Sequence, residues 1–290
     1  MGARLGDNQY GKAEIRVMKV DRDTPRHVLH DLTVSVALAG DMEAVHLTGD
    51  NAAVLPTDTQ KNTVYAFARE HGVDQVEDFA ALLARHFVDS QQAVHRATVS
   101  VDEHRWERLA DHSFARSGRE TRTTTVTHDA EGTRVRSGLR DLVLLSSTGS
   151  EFQGFATDRY TTLPETDDRI LCTSVEARWR HAGPQADWQA SYDAVRSALM
   201  TAFTDTYSRS LQQTLYAMGA RVVSSCPGVD EVRLRLPNRH HLLVDLEPFG
   251  LDNPGEVFHV DDRPYGLIEG AVLRDGAPDP GPCWDPYPLI

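Results

Sequence analysis

Leu32-Thr33-Val34-Ser35-Val36-Ala37-Leu38 places its larger apolar side chains on every second residue. That is the period of a half-buried β-strand, with one face on a core and the other outward. Ile15 and Val17 suggest an earlier strand of the same kind. Two helical patterns follow. The first runs from residue 61 to about residue 70, with Val64, Phe67 and Ala68 on one face. The second covers residues 76–88 and repeats Val76, Phe79, Ala80, Leu83 and Phe87 at helical spacing. Strands then return. Ala97, Val99 and Val101 alternate, and residues 121–127 are rich in β-branched side chains. Asp129-Ala130-Glu131-Gly132 reads as a turn into the next strand.

The same order then repeats. Residues 139–147 and 170–180 read as strands, and a long helix is predicted over 188–207 with Val195, Leu199 and Phe203 on one face. Ser208-Arg209-Ser210 interrupts it before a shorter helix, 211–218, with Gly219 just past its end. Val232, Leu234 and Leu236 alternate in a further strand, which Pro237 ends or pushes to an edge. Strand–strand–helix–helix–strand–strand therefore occurs twice. Antiparallel sheet with helices gathered on one face is an α+β layer. The predicted units are residues 1–134 and 135–274. The segment 275–290, with Pro278, Pro280, Pro282, Pro286 and Pro288, reads as an extended arm or disordered end.

Bulk properties narrow the partners. The formal net charge of −13 over 290 residues argues against nucleic acid, which needs a basic face, and against anionic membrane surfaces. No apolar run approaches the ~20 residues that span a bilayer. The N-terminus lacks the hydrophobic core of a signal peptide. Cys172, Cys226 and Cys283 stand in no metal-binding spacing and fit reduced thiols, so a cytoplasmic protein is expected.

Leu55-Pro56-Thr57-Asp58-Thr59-Gln60-Lys61-Asn62-Thr63 precedes the first helix. Asp58 or Thr59 can cap its N–H groups, and the same N–H groups favour an anionic ligand. His240-His241 could be a metal pair, but no second cluster completes a site, and no catalytic metal is expected.

Five segments, in order, resemble the urate oxidase (uricase) family. They are Tyr10-Gly11-Lys12, Thr57-Asp58 with Lys61-Asn62-Thr63, Ser150-Glu151-Phe152-Gln153-Gly154-Phe155, residues 160–171 around Arg169, and Leu236-Pro237-Asn238-Arg239-His240. Ser210-Leu211-Gln212-Gln213-Thr214-Leu215-Tyr216 fits with more variation. The resemblance implies two tandem tunnelling-fold units, a homotetramer with active sites between subunits, and oxidation of urate by O2 with no cofactor. It assigns proton handling to Lys12, Thr57 and His240. It assigns substrate contact to Thr57, Asp58, Phe152, Arg169, Leu211, Gln212 and Asn238.

The chemistry suits those residue types. Arg169 offers a planar fork of donors and a balancing charge, and Gln212 an amide that complements a purine edge. Phe152 could stack on the ring. Thr57 both donates and accepts, and His240 titrates near neutrality. Taken singly, Arg169 could equally pair with Asp167 or Asp168, Gln212 could be a helix-surface residue, and Phe152 could belong to a core. The chain lacks the Ser-Lys-Leu peroxisomal ending common in eukaryotic uricases, which points to a bacterial type. Two alternatives stand beside this reading: a non-catalytic purine-binding oligomer of the same fold, and a tunnelling-fold enzyme acting on pterins through zinc.

Overall fold

The computed structural model describes residues 2–118, 120–261 and 263–284. Contacts divide the chain into two units. Unit 1 holds residues 1–138, 184–189 and 279–290, and unit 2 holds 139–183 and 190–278.

In unit 1, β1 (Tyr10–Asp21) pairs antiparallel with β2 (Val28–Gly40). The short helix α1 (Glu43–Leu47), α2 (Thr57–His71) and α3 (Val76–Ser90) follow. Next come β3 (Val94–Glu103), a hairpin of β4 (Trp106–Ala110) and β5 (Ser113–Arg116), β6 (Thr121–Asp129) and the start of β7 (Gly132–Ser146). The sheet order is β1-β2-β3-β6, antiparallel throughout. Leu32, Val34, Val36 and Leu38 are all fully buried, as the alternation in the sequence demands. They pack with Val64 and Ala68 of α2 and with Phe79, Leu83 and Phe87 of α3.

A buried ion pair lies inside this unit. Glu77 on α3 accepts from Arg122 of β6 at 2.7 Å and from Ser137 of β7 at 2.8 Å. Trp188 donates through Nε1 to Asp78 at 2.8 Å, which fixes residues 184–189 to α3.

In unit 2 the order runs from β7 through β8 (Leu171–His181) and β9 (Val229–Pro237) to β12 (Leu267–Leu273), with β8, β9 and β12 antiparallel. Between β8 and β9 lie α4 (Trp188–Asp205) and α5 (Leu211–Ser225), and β10 (His240–Leu243) and β11 (Phe258–Asp261) form a separate ladder. Trp179, Val195, Leu199, Met218, Val232 and Leu236 share this unit's core.

Three local expectations are corrected. α2 begins at Thr57 rather than at residue 61, so Thr57, Asp58 and Thr59 are its first turn. α5 does not stop at Gly219 but continues to Ser225. The reason is packing: a Cβ at residue 219 would lie 2.4 Å from Cγ2 of Val272, so the glycine lets β12 approach the helix. The predicted arm is not wholly extended, since residues 281–284 form a 3-10 turn. The Arg136 guanidinium also lies 5.4 Å over the Trp284 ring. Residues 285–290, including Pro286 and Pro288, lie outside the described residues.

Candidate active site

The two units carry different parts of the expected constellation. In unit 1, Lys12 lies near the start of β1. Strict alternation with Ile15 and Val17 would put it on the face away from the core. The register prevents that. Lys12 is opposite Val36 while Ile15 is opposite Val34, so Ala13 and Glu14 together span the single residue Ser35. This is a β-bulge. Cross-strand partners share a face, and Val36 and Val34 both point into the core. Lys12 is thereby turned onto the helix-bearing face.

α2 starts on that face. Its N-cap position is Pro56, which has no side chain able to accept, and no side chain caps the first turn. The first free backbone donor engaged within the helix is Gln60 N–H, to Pro56 O at 3.1 Å. The N–H groups of residues 57–59 are left as an anion-binding end. Asp58 is not the cap. Its carboxylate accepts from Lys61 at 2.5 Å and from Asn62 at 3.2 Å. The Lys61 hydrogen bond holds its pKa below the ordinary aspartate value, and the charge of Lys12 acts in the same direction. The fold thus brings Lys12, Thr57 and Asp58 into one neighbourhood.

Unit 2 assembles the other set around Ser208, which is buried. Ser208 O accepts from Glu151 N–H at 2.8 Å, and Ser208 N–H donates to Gly149 O at 3.0 Å. Its hydroxyl takes the Thr214 hydroxyl at 2.8 Å and donates to Ser210 O at 3.1 Å. Ser210 caps α5 by accepting from Gln213 N–H at 3.2 Å. These bonds stitch the 149–152 segment to the first turn of α5. Leu211 is buried in the core, so only its backbone faces the helix start, while Gln212 is exposed beside it.

Phe152 pairs with Thr166 across the loop, and Arg169 N–H donates to Ser150 O at 2.8 Å. The Arg169 guanidinium lies 5.1 Å over the Phe152 ring, which also stacks on Phe155 at 4.9 Å. Pairing with Asp168 does not occur. That carboxylate accepts from the Thr148 hydroxyl at 2.8 Å and from Gly149 N–H at 3.0 Å. Among the described residues no carboxylate is within ion-pair range of Arg169, and its Nε donates to the Ser150 hydroxyl at 3.4 Å. Burial draws its pKa below the ordinary arginine value. A half-buried cation with no counter-ion, laid against an aromatic face, is suited to a flat anion.

Asn238 follows β9 in extended form. Its N–H donates to Gly266 O at 2.8 Å, and the next N–H, of Arg239, donates the opposite way to Cys172 O at 2.8 Å. Asn238 bridges Thr173, which is buried, so it continues the core-facing parity of Leu234 and Leu236. His240 opens β10, which pairs with β11 rather than with this sheet. His241 alternates with it, and its Nδ1 donates to Arg239 O at 3.1 Å. Among the described residues no three His, Cys, Asp or Glu side chains form a metal-binding group.

Several contributors were not read from the sequence: Ser35 and Glu14 at the bulge, Phe155 behind Phe152, and the hydroxyls of Ser150, Ser208 and Thr214. Only Ser210 had a readable signal, as Ser210-x-x-Gln213 is a capping-box pattern.

Comparison with known proteins identifies the family. The uricase family model matches residues 8–127 and 135–269. The chain is 49% identical to the uricase of Arthrobacter globiformis, over 97% of this chain and 93% of that one. It is 36% identical to the uricase of Dictyostelium discoideum, over 94% and 98% of the two chains. The crystal structure of the Arthrobacter globiformis enzyme superposes with a TM-score of 0.96 at 48% identity, covering 99% of this chain and 100% of that one. On fold, sequence and family model together, this chain belongs to the uricase family.

Proposed function

We propose that this chain converts urate, O2 and water to 5-hydroxyisourate and hydrogen peroxide, with the substrate as its own reductant and no cofactor. Two electrons leave the purine for oxygen, and one water oxygen is added to the ring. Membership of the uricase family makes the chain an oxidoreductase that uses oxygen. The observation that carries the substrate assignment is Arg169: half-buried, without a carboxylate in ion-pair range among the described residues, and 5.1 Å over Phe152. Its donor fork and charge suit the urate anion, and Gln212 at the α5 start suits the purine's amide edge.

Lys12 is the proposed general base. Thr57 exchanges protons between Lys12 and the ligand, and His240 completes the relay. Asn238, two residues before His240, holds O2 or water over the ring. The helix start at Thr57 and Asp58 receives the anionic edge through backbone N–H groups.

The working form is a homotetramer in which Lys12, Thr57 and Asp58 of one subunit meet Phe152, Arg169, Leu211, Gln212, Asn238 and His240 of a neighbour. The test is oxygen uptake with urate in metal-chelated buffer, with peroxide measured in parallel. One peroxide per urate consumed is expected. A folded tetramer that binds urate and consumes no oxygen would sink the catalytic reading and leave a purine-binding oligomer.

A further inference from the structure

The bulge in β1 is a strained feature, and its location next to Lys12 has a function. Glu14 has φ of 56°, in the left-handed region that costs a non-glycine residue free energy. What holds it there is visible. Glu14 N–H is not engaged in the β1–β2 ladder but donates to the Ser35 hydroxyl at 3.0 Å. Ser35 is the single residue that the pair Ala13–Glu14 spans. Were the strands paired without the bulge, Lys12 would lie opposite Ala37 and its side chain would leave by the other face, because a one-residue slip reverses every side chain.

Unit 2 repeats the device with a different residue in the decisive place. Its first strand also carries an acidic residue at positive φ, Asp141 at 66°. Leu139 and Leu142 flank it three residues apart, and both are buried in one core. Three-residue spacing on one face of a strand requires an extra residue. Lys12 and Ile15 have the same spacing around Glu14. In unit 2 this spacing buries a leucine, and in unit 1 it presents a lysine.

We propose that Ser35 is a positioning residue for Lys12: by accepting the Glu14 N–H it holds the bulge that aims the lysine at the α2 start. This rests on the reading of Lys12 as the base. Ser35→Ala removes the acceptor and leaves Lys12, Thr57 and the core residues in place. The expected result is a fall in kcat of roughly tenfold, as for loss of one backbone-directed hydrogen bond, with KM for urate changed less than threefold. The kcat–pH profile should also move, because the lysine's surroundings change. A purely structural defect would scale the profile without moving it.

Ser35→Thr keeps the hydroxyl and should restore both rate and profile. Glu14→Gly accepts the positive φ without a Cβ and should keep activity, whereas Glu14→Val should behave like Ser35→Ala. Ser35→Ala placed in Lys12→Ala should cost nothing further. Unfolding curves for each variant separate misfolding from misaiming. Unchanged kcat and pH profile in folded Ser35→Ala and Glu14→Val would overturn the assignment, as would an undiminished Ser35→Ala effect in the Lys12→Ala background. If the unmodified chain oxidises no urate, the functional reading falls and this assignment falls with it.

Discussion

Gly219→Ala separates two physical effects that oppose each other. In an exposed helix the change should stabilise by about 1 kcal/mol, since glycine is the poorer helix former. Here the new methyl would stand 2.4 Å from Val272 Cγ2, 2.7 Å from Val272 Cβ and 3.4 Å from Val232 Cγ1. Ordinary carbon contacts lie near ~3.5–4.0 Å, so the first two overlap severely. Val272 cannot easily retreat, because it pairs with Val232 within the β9–β12 ladder. Overpacking of this kind costs about 1–3 kcal/mol, and the steep overlap places it at the upper end. The net expectation is a destabilisation of about 1–2 kcal/mol.

Val272→Ala removes the obstructing methyl groups and alone should cost about 1–2 kcal/mol from lost burial. In the double variant the new methyl occupies part of the space vacated. A double-mutant cycle should therefore show a favourable coupling of about 2 kcal/mol. The assay is urea unfolding at fixed protein concentration, with m compared across the four proteins. A Gly219→Ala protein more stable than the parent, or a coupling near zero, would refute the packing argument and restore the glycine to a helix-ending role.

Lys12→Ala and Thr57→Ala should each lower kcat by at least about a hundredfold while changing the Kd for xanthine, a purine dione, by less than about threefold, read by stopped assays and calorimetry. Glu77→Gln removes the nearer carboxylate of Arg122, leaving Glu103 at 3.8 Å, and should cost about 3 kcal/mol in urea unfolding. Glu77→Leu with Arg122→Met should recover most of that. Burial pushes the thiols of Cys172 and Cys226 above the ordinary cysteine value. Their neutral form is favoured by folding, so this contribution is full below the ordinary thiol pKa and is lost as pH rises through the folded value. An aromatic disulfide reagent near neutral pH should therefore label them slowly until denaturant is added.

The repeated order of elements was legible because its signal is periodic. Leu32 to Leu38 alternate at period two, and Phe79, Leu83 and Phe87 recur at the helical period, so burial on one face was implied by either pattern. What escaped depends on contacts distant in sequence. Gly219 resembles a helix stop unless Val272, more than fifty residues later, is known to press on it. The bulge at Glu14 has no signature in β1, because an extra residue is defined only against the strand it opposes. For the same reason Lys12 could be matched to a family pattern but not placed on a face. Asp58 and Thr59 are both cap candidates by residue type, and the position of Asp58 inside the first turn hands its carboxylate to Lys61 and Asn62 instead. The 149–169 loop has no period at all, and its form depends on buried hydroxyls whose partners lie on α5.

That loop also shows how the chain keeps a cation unpaired. Acidic side chains outnumber basic ones, 43 to 30, so neutralisation of any arginine is the default outcome. Three carboxylates of the 149–169 loop have partners of their own. Asp168 is held by Thr148 and Gly149, Glu165 accepts from Gly154 N–H at 2.8 Å, and Glu151 accepts from the Tyr207 hydroxyl at 2.9 Å. Asp168 and Glu165 are thus fixed by hydroxyl and N–H groups, while Glu151 also faces the exposed Arg209 at 3.7 Å. Withholding a counter-ion from a half-buried guanidinium lowers stability, and on the proposed function that cost serves binding rather than folding. On the proposed function the missing charge specifies the ligand: anionic, planar enough to lie along Phe152, and able to accept from a fork of donors. Replacing the loop's neutral partners would test that logic at its root. Thr148→Ala frees one oxygen of Asp168 toward Arg169, and a new ion pair there should strengthen the fold while weakening the hold on the purine.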